Sequence, residues 1–329
     1  MALDPARAAV RGAVRRVLPG QVSRVLVACS GGADSLALLA ATVFEAREAG
    51  LYVVGATVDH GLQDGSPARA TEVVAQMAAL GVHETASIRV TVDPGPGGVE
   101  AGAREARYVA LGQLAAHLGA EMVLLGHTLD DQAENVLLGL TRGSGGRSLQ
   151  GMRPTFSDDG GATYLRPLLG LTREQTEAAC RADGITWWED PHNADPRFVR
   201  ARIRQAVMPV LERELGPGIA PALARTAEQL REDMAALDDW ADRALEEVRV
   251  AGEFVASAVV ALPRALLTRV IRLAAIEAGA IPSELTREHV LAVAEIVEGA
   301  RDHRQIQLPG HVTAYREGTD LRFRRTETP

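Results

Sequence analysis

The six residues Ser30, Gly31, Gly32, Ala33, Asp34 and Ser35 join an apolar, β-branched run to the start of a helical pattern. Two adjacent glycines at such a junction let successive backbone N–H groups form an anion-holding concavity at the positive end of the helix dipole. Ser30 and Ser35 add hydroxyl donors. A carboxylate beside a phosphate is repulsive unless a divalent cation separates them, so Asp34 points to a metal-bound polyphosphate and to Mg²⁺. The same residues also make an ordinary helix N-terminus with good capping groups, and this stretch alone leaves both readings open.

A second cluster lies in "GHTLDDQAEN", Gly126 to Asn135. His127, Asp131 and Glu134 fall at i, i+4 and i+7, a spacing that places all three on one helical face near the end of a strand. Two carboxylates converging there can hold a primary ammonium group, and one can later take its proton. Thr128 with Asp131 reads equally well as a capping box, in which acidic residues of a first turn stabilise the helix dipole. Arg104 and Arg107, three apart, can share a helix face as phosphate contacts or as solvated partners of Glu100 and Glu105. His60, beside Asp59 at the end of a strand and before Gly61, can line a nucleotide pocket or serve as a turn residue. Arg142, Arg147 and Arg153 accompany a Gly/Ser-rich loop that can be a binding loop or a plain surface linker, and Arg200, Arg202 and Arg204 belong to the basic run "RFVRARIR"; of these, Arg142, Arg147, Arg200, Arg202 and Arg204 are the candidates for contact with a nucleic-acid backbone.

The elements that must position these groups are legible in the periodicity. Strand-like runs ("SRVLVACS", "LYVVGATVDHG", "ASIRVTVDPG", "AEMVLLGH") alternate with helical patterns through the first half, which predicts βαβ units and a mostly parallel sheet. "LRPLLGLTREQTEAACRADG" restores a helix, and "WWEDPHNADPRF" is dense in turn residues. The cluster "LGPGIAP", Leu215 to Pro221, is the best boundary, giving a large α/β domain over 1–216 and a smaller helical plus β domain over 217–329. Open α/β sheets bind ligands at the carboxyl ends of their strands, where both clusters fall.

Composition narrows the classes. The net charge of −8 argues against a generally basic coat for nucleic acid, and all 35 basic residues are arginine. Without lysine, a P-loop of the G-x-x-x-x-G-K-[ST] type is excluded. Two distant cysteines, Cys29 and Cys180, indicate neither a disulfide framework nor a metal-ligating pair, and a reducing, cytoplasmic setting is expected. No run approaches the roughly 18 to 20 apolar residues that span a bilayer.

The opening stretch resembles the S-G-G-x-D-S signature of the PP-loop ATP pyrophosphatases. "VDHGL", "AREARYVAL", "GHTLDDQAEN", "TRGSGG" with "LQGM", "RPLL" followed by "TRE", and "WWEDPHN" follow in the order and spacing of one branch, the tRNA(Ile)-lysidine synthetases, over about Val25 to Leu211. The resemblance implies a Rossmann-like PP-loop domain that binds ATP and Mg²⁺ through residues 30–35. It implies adenylation of the C2 oxygen of the wobble cytidine in an isoleucine tRNA with a CAU anticodon, after which free lysine displaces AMP. It further implies Asp131 and Glu134 as the lysine site, with His127 and Arg107 beside the reacting base and His60 on the adenine side. A homodimer is also implied. Position 201 is Ala where the family often has Asn, so only Arg200, Arg202 and Arg204 carry over as RNA contacts. Two other readings keep the nucleotide site: a tRNA-thiolating enzyme of the same superfamily, which would lean on cysteines, and a nucleotide-binding regulator without turnover.

Overall fold

The computed structural model describes residues 4–18, 23–61, 65–93, 98–143, 145–158, 160–191, 195–250, 253–299 and 304–326. Leu62 of "VDHGL", Ser144 of "TRGSGG", and His192 and Asn193 of "WWEDPHN" lie outside the described residues.

Helix α1 (Pro5–Arg15) precedes the alternation β1 (Arg24–Ala28), α2 (Ala33–Ala49), β2 (Tyr52–Asp59), α3 (Ser66–Ala79), β3 (Glu84–Arg89), α4 (Gly98–Leu118), β4 (Met122–Leu124) and α5 (Leu129–Arg142). A short turn of helix, α6 (Gly146–Leu149), leads to β5 (Thr155–Ser157), β6 (Thr163–Leu165) and α7 (Arg173–Ala182). The six strands form one sheet in the order β3-β2-β1-β4-β6-β5, parallel except for β5 against β6. This is the parallel α/β architecture expected, with the short strands β5 and β6 added at one edge. Val25, Leu26 and Val27 of β1 are wholly buried, because helices cover both faces of a parallel sheet and its central strand has no solvated side.

Further along the chain lie α8 (Val199–Arg202), a π-helical turn (Ile203–Val207), α9 (Met208–Leu215) and α10 (Ile219–Glu247). The remainder comprises β7 (Arg249–Val250), β8 (Glu253–Val255), α11 (Ala256–Val260), α12 (Arg264–Glu277), α13 (Arg287–Glu298), β9 (Gln305–Leu308), β10 (Val312–Glu317) and β11 (Asp320–Arg325). These five strands pair in the order β7-β8-β11-β10-β9, antiparallel throughout. The chain forms two compact units, residues 1–143 with 148–228, and residues 144–147 with 229–329. The division therefore falls inside α10, while "LGPGIAP" separates α9 from α10. Each unit has its own apolar core, that of the second built from residues such as Leu266, Ile271, Val293 and Val312. Among the described residues no helix is long and apolar enough to cross a membrane.

Candidate active site at the carboxyl ends of the parallel strands

The stretch from Ser30 to Ser35 forms a tight loop between β1 and α2. Gly31 has φ 81°, a left-handed conformation open to glycine, and Gly32 is the extended N-cap before Ala33, the first helical residue. The Ser35 hydroxyl accepts from the Ser30 N–H at 3.1 Å and donates to the Gly32 carbonyl at 2.9 Å, closing the loop on itself. The Trp188 N–H donates to the Gly31 carbonyl at 3.0 Å, which ties the "WWED" segment to the same loop.

Gly126 brings the second cluster against the first. A Cβ at this position would lie 3.0 Å from the Asp34 carbonyl oxygen and 3.1 Å from the Ser35 Cα. The absence of that atom is what lets the β4–α5 connection close on the first turn of α2. The α5 N-terminus carries the capping box: the Thr128 N–H donates to Asp131 Oδ2 at 2.8 Å, and Thr128 itself is fully buried. Asp131 caps through Oδ2 and keeps Oδ1 for other partners, so capping and a role in a site coexist. The expectation that His127, Asp131 and Glu134 share one helical face is corrected. Thr128 is the N-cap, so His127 belongs to the loop ahead of the helix.

Arg173, at the start of α7, joins the two clusters. Its guanidinium lies 3.0 Å from Asp131 Oδ1, 3.5 Å from Asp34 Oδ2 and 3.9 Å from Glu134 Oε1. Its own N–H donates to Asp130 at 2.8 Å. Glu134, only 2% exposed, is held by a fork from Arg204, with Nε 2.7 Å from Oε1 and Nη2 3.0 Å from Oε2. Arg204 also lies 3.4 Å from Asp131 Oδ1. The acidic pair thus accepts two cations beside the glycine loop.

The carboxylates differ in electrostatic setting. Burial pushes Asp34 up to about 6, against the opposing pull of Arg173 and the Thr176 hydroxyl, which hydrogen-bonds Asp34; Asp131 adds to the rise. Burial also tends to raise Asp131, but Arg173, His127, the Thr128 N–H and Arg204 together hold it below the usual carboxylate range. Burial raises Glu134 in spite of Arg204. His127 is pushed down to about 3 by burial and by Arg107, with Arg166 and Arg104 adding and Asp131 opposing.

The expected residues divide when placed in the fold. Arg107 acts on both histidines, lowering His60, which burial lowers first, as well as His127. His60 has a buried Nδ1 without a hydrogen-bond partner. Arg104 and Arg107 stand over the Tyr108 ring at 5.1 and 5.5 Å, and neither has a carboxylate within ion-pair distance among the described residues. Arg204, expected from the sequence as an RNA-backbone contact, forks Glu134 in this structure. The reason lies in α8 and the π-helical turn. Ala201 and Ile203 are buried, and Arg200 and Arg204 face α5, where Arg200 reaches Asn135 at 3.2 Å; Arg200 also reaches Glu100 of α4 at 3.4 Å. Arg202 donates instead to the carbonyls of Pro196 and Arg197. Arg147 pairs with Asp238 at 2.7 Å within the second unit, and Arg142 is exposed at the end of α5, without an ion pair among the described residues.

Three arginines that sequence reasoning passed over belong to the site. Arg173 and Arg166 stand in the quoted "TRE" and "RPLL", whose family resemblance was their only signal. Arg166 is 6% exposed and donates to Tyr108 Oη at 3.0 Å. Arg69 packs beside Gly31 and over Trp188, with its Nε and Nη2 buried and unpartnered. Among the described residues no group of three or more His, Cys, Asp or Glu side chains is placed to hold a metal ion. One carboxylate at a phosphate-binding loop nevertheless suits Mg²⁺, which is commonly held by one or two carboxylates together with substrate phosphates.

Comparison with known proteins agrees with this geometry. Residues 9–211 match the PP-loop domain, and residues 256–322 match the TilS substrate binding domain. A solved U34-tRNA thiolase, NcsA from Methanococcus maripaludis with its 4Fe-4S cluster, shares the fold, with a TM-score of 0.56 at 17% identity over 68% of this chain and 78% of that one. The tRNA(Ile)-lysidine synthase of Salinispora arenicola is 50% identical, covering 97% of each chain. That of Streptomyces coelicolor is 46% identical over 98% of this chain and 99% of its own. A phosphate-type loop, an acidic pair beside it and a likeness that runs through both units converge on one conclusion: the chain belongs to the tRNA(Ile)-lysidine synthase family.

Proposed function

We propose that the protein ligates lysine to C2 of the wobble cytidine of an isoleucine tRNA with a CAU anticodon, using ATP. The observation that carries the reading is the pair Asp131 and Glu134, which receives cationic groups directly beside the glycine loop and Asp34.

The chemistry follows from what each group can do. A carbonyl oxygen of a base is a poor leaving group and AMP a good one, so transfer of the adenylyl group to the C2 oxygen, with loss of pyrophosphate, prepares C2 for an amine. The loop N–H groups and Ser30 hold the phosphates. Asp34 would hold Mg²⁺ at this loop, and the ion would supply charge neutralisation on the polyphosphate. Asp131 and Glu134 bind the ammonium group of lysine, Arg173 and Arg204 making room or sharing the carboxylates. An ammonium is not nucleophilic, so it must lose a proton before attack. Glu134, whose burial raises its pKa, is the better acceptor. His127 is neutral and serves as a hydrogen-bond donor near the reacting oxygen. In this reading residues 1–216 carry catalysis and residues 217–329 contact the tRNA.

Thiolation is the less favoured reading, because both thiols are buried and burial raises both, Cys180 to about 12. Incubation with ATP, unmodified isoleucine tRNA and labelled lysine tests the proposal. Label is expected in the tRNA, with pyrophosphate and AMP released together; pyrophosphate without label in the RNA rejects lysine as the nucleophile, and neither product rejects turnover.

A further inference from the structure

The arginines that the sequence offers to RNA are largely engaged: Arg200 and Arg204 with acids, Arg202 with carbonyls. The first unit holds other arginines without a carboxylate partner among the described residues. Arg104, Arg153 and Arg166 line one cleft of about 340 Å³, together with Asn135, Phe156 and Ser157. No aspartate or glutamate lines it, in a chain whose net charge is −8. None of the three arginines has a carboxylate within 4.0 Å among the described residues, and Glu100, which attracts Arg104, is itself paired with Arg200.

We propose that this cleft binds a phosphodiester group of the RNA strand that carries the reacting base. The inference rests on the RNA-modifying reading above. Arg166 forms the floor; it is anchored by the Arg153 carbonyl and by Tyr108, and it contacts His127 directly. Its guanidinium is buried without a counter-charge, and an anion in the cleft relieves that deficit. Arg104 and Arg153 are exposed at the rim. The Asn135 carbonyl oxygen accepts from Arg200, which leaves the amide N–H groups of Asn135 as donors. The rings do not offer a base-stacking face: Phe156 has Tyr164 stacked at 4.8 Å and the Arg166 guanidinium 4.5 Å from its centroid. The cleft is therefore built for an anion rather than for a base. A phosphate can come from RNA or from a nucleotide, and the contact of Arg166 with the catalytic-side His127 favours the strand being modified.

The test uses the full chain and no turnover. Binding of isoleucine tRNA is measured against salt concentration for the parent protein and for Arg153→Ala, Arg153→Glu, Arg153→Lys and Arg104→Ala, and ATP affinity is measured in parallel. Arg153 contributes only its carbonyl to the packing of Arg166, so its side chain is replaceable without loss of that anchor. Removing one phosphate contact is expected to lower the salt slope by about one and to weaken binding about 3- to 10-fold. Arg153→Glu is expected to weaken it further, and Arg153→Lys to restore the slope, with ATP affinity unchanged in all four. An unchanged slope in both alanine variants overturns the proposal, as does a loss of ATP affinity with tRNA binding intact, which would assign the cleft to nucleotide phosphate. Failure of the lysidine reading is separable: a parent protein that ligates no lysine while the slope still falls loses that reading and keeps the RNA cleft.

Discussion

The Nε of Arg166 lies 3.3 Å from Nδ1 of His127 and donates to it. Arginine has no acceptor and does not deprotonate in proteins, so the contact makes Nδ1 the unprotonated nitrogen and leaves the ring proton on Nε2. His127 is thereby a neutral donor and a poor general base. Nitrogen NMR of histidine-labelled protein is expected to show this tautomer from pH 6 to 8, and Arg166→Met to mix the tautomers. The folded-state value of about 3 lies below the ordinary 6.5, so the unfolded chain takes up the proton first as the pH falls. The associated stability is complete above pH 6.5 and is lost progressively towards pH 3, with a loss of about 2 kcal/mol already at pH 5. Denaturant unfolding of His127→Gln should lack that share of the acid sensitivity.

Asp34 works in the opposite sense. Its folded-state value of about 6 exceeds the ordinary 3.8, so its contribution to stability is complete below pH 3.8 and is lost as the pH rises through 6. Asp34→Asn keeps an oxygen near Thr176 and removes the buried charge. In the absence of nucleotide it should be more stable than the parent at pH 8 by about 1–3 kcal/mol, by thermal or denaturant unfolding. The same variant should release little pyrophosphate, so that stability and activity move apart; near-normal release would remove Asp34 from the phosphate site.

Arg173 is expected to be the most sensitive of the site arginines. Arg173→Met leaves Asp34, Asp131 and Glu134 with one guanidinium fewer among them. A loss of about 2–4 kcal/mol is expected at pH 7. The deficit should shrink at pH 5, where Asp34 is largely protonated. A deficit that does not vary with pH would mean that packing, not charge, is what Arg173 supplies.

Glu134→Gln separates lysine binding from ATP binding. The lysine KM is expected to rise about tenfold or more, the loss of one charge-assisted contact, with the ATP KM changed by less than about twofold. Equal effects on both would make Glu134 a structural partner of Arg204 alone.

Gly126→Ala tests the closure of the two clusters. The added Cβ meets backbone of Asp34 and Ser35, which cannot rotate away. A destabilisation of about 1–3 kcal/mol is expected, together with reduced pyrophosphate release.

The glycine loop and the parallel strands were legible in the sequence because each is a local pattern: an apolar run, two glycines, a helical period. The capping by Asp131 was legible for the same reason, as a spacing of three residues. What could not be read locally was the set of partners. Arg173 meets Asp34 only because α7 packs on α2, and Arg204 faces Glu134 only because the π-helical turn follows α8. The helical spacing from His127 to Glu134 misled because it counted through the N-cap, where the helical rotation has not begun. Strands β5 and β6, at three residues each, are too short to leave a periodic signal.

The two cations that rest on Asp131 and Glu134 are both guanidinium groups, and the chain contains no lysine anywhere. A lysine at position 173 or 204 would be a tethered copy of the amine that the proposed reaction uses, held at the same acidic pair. A guanidinium stays protonated and does not attack carbon. The pocket can thus keep its acids neutralised between turnovers without any risk of ligating the enzyme to its own RNA.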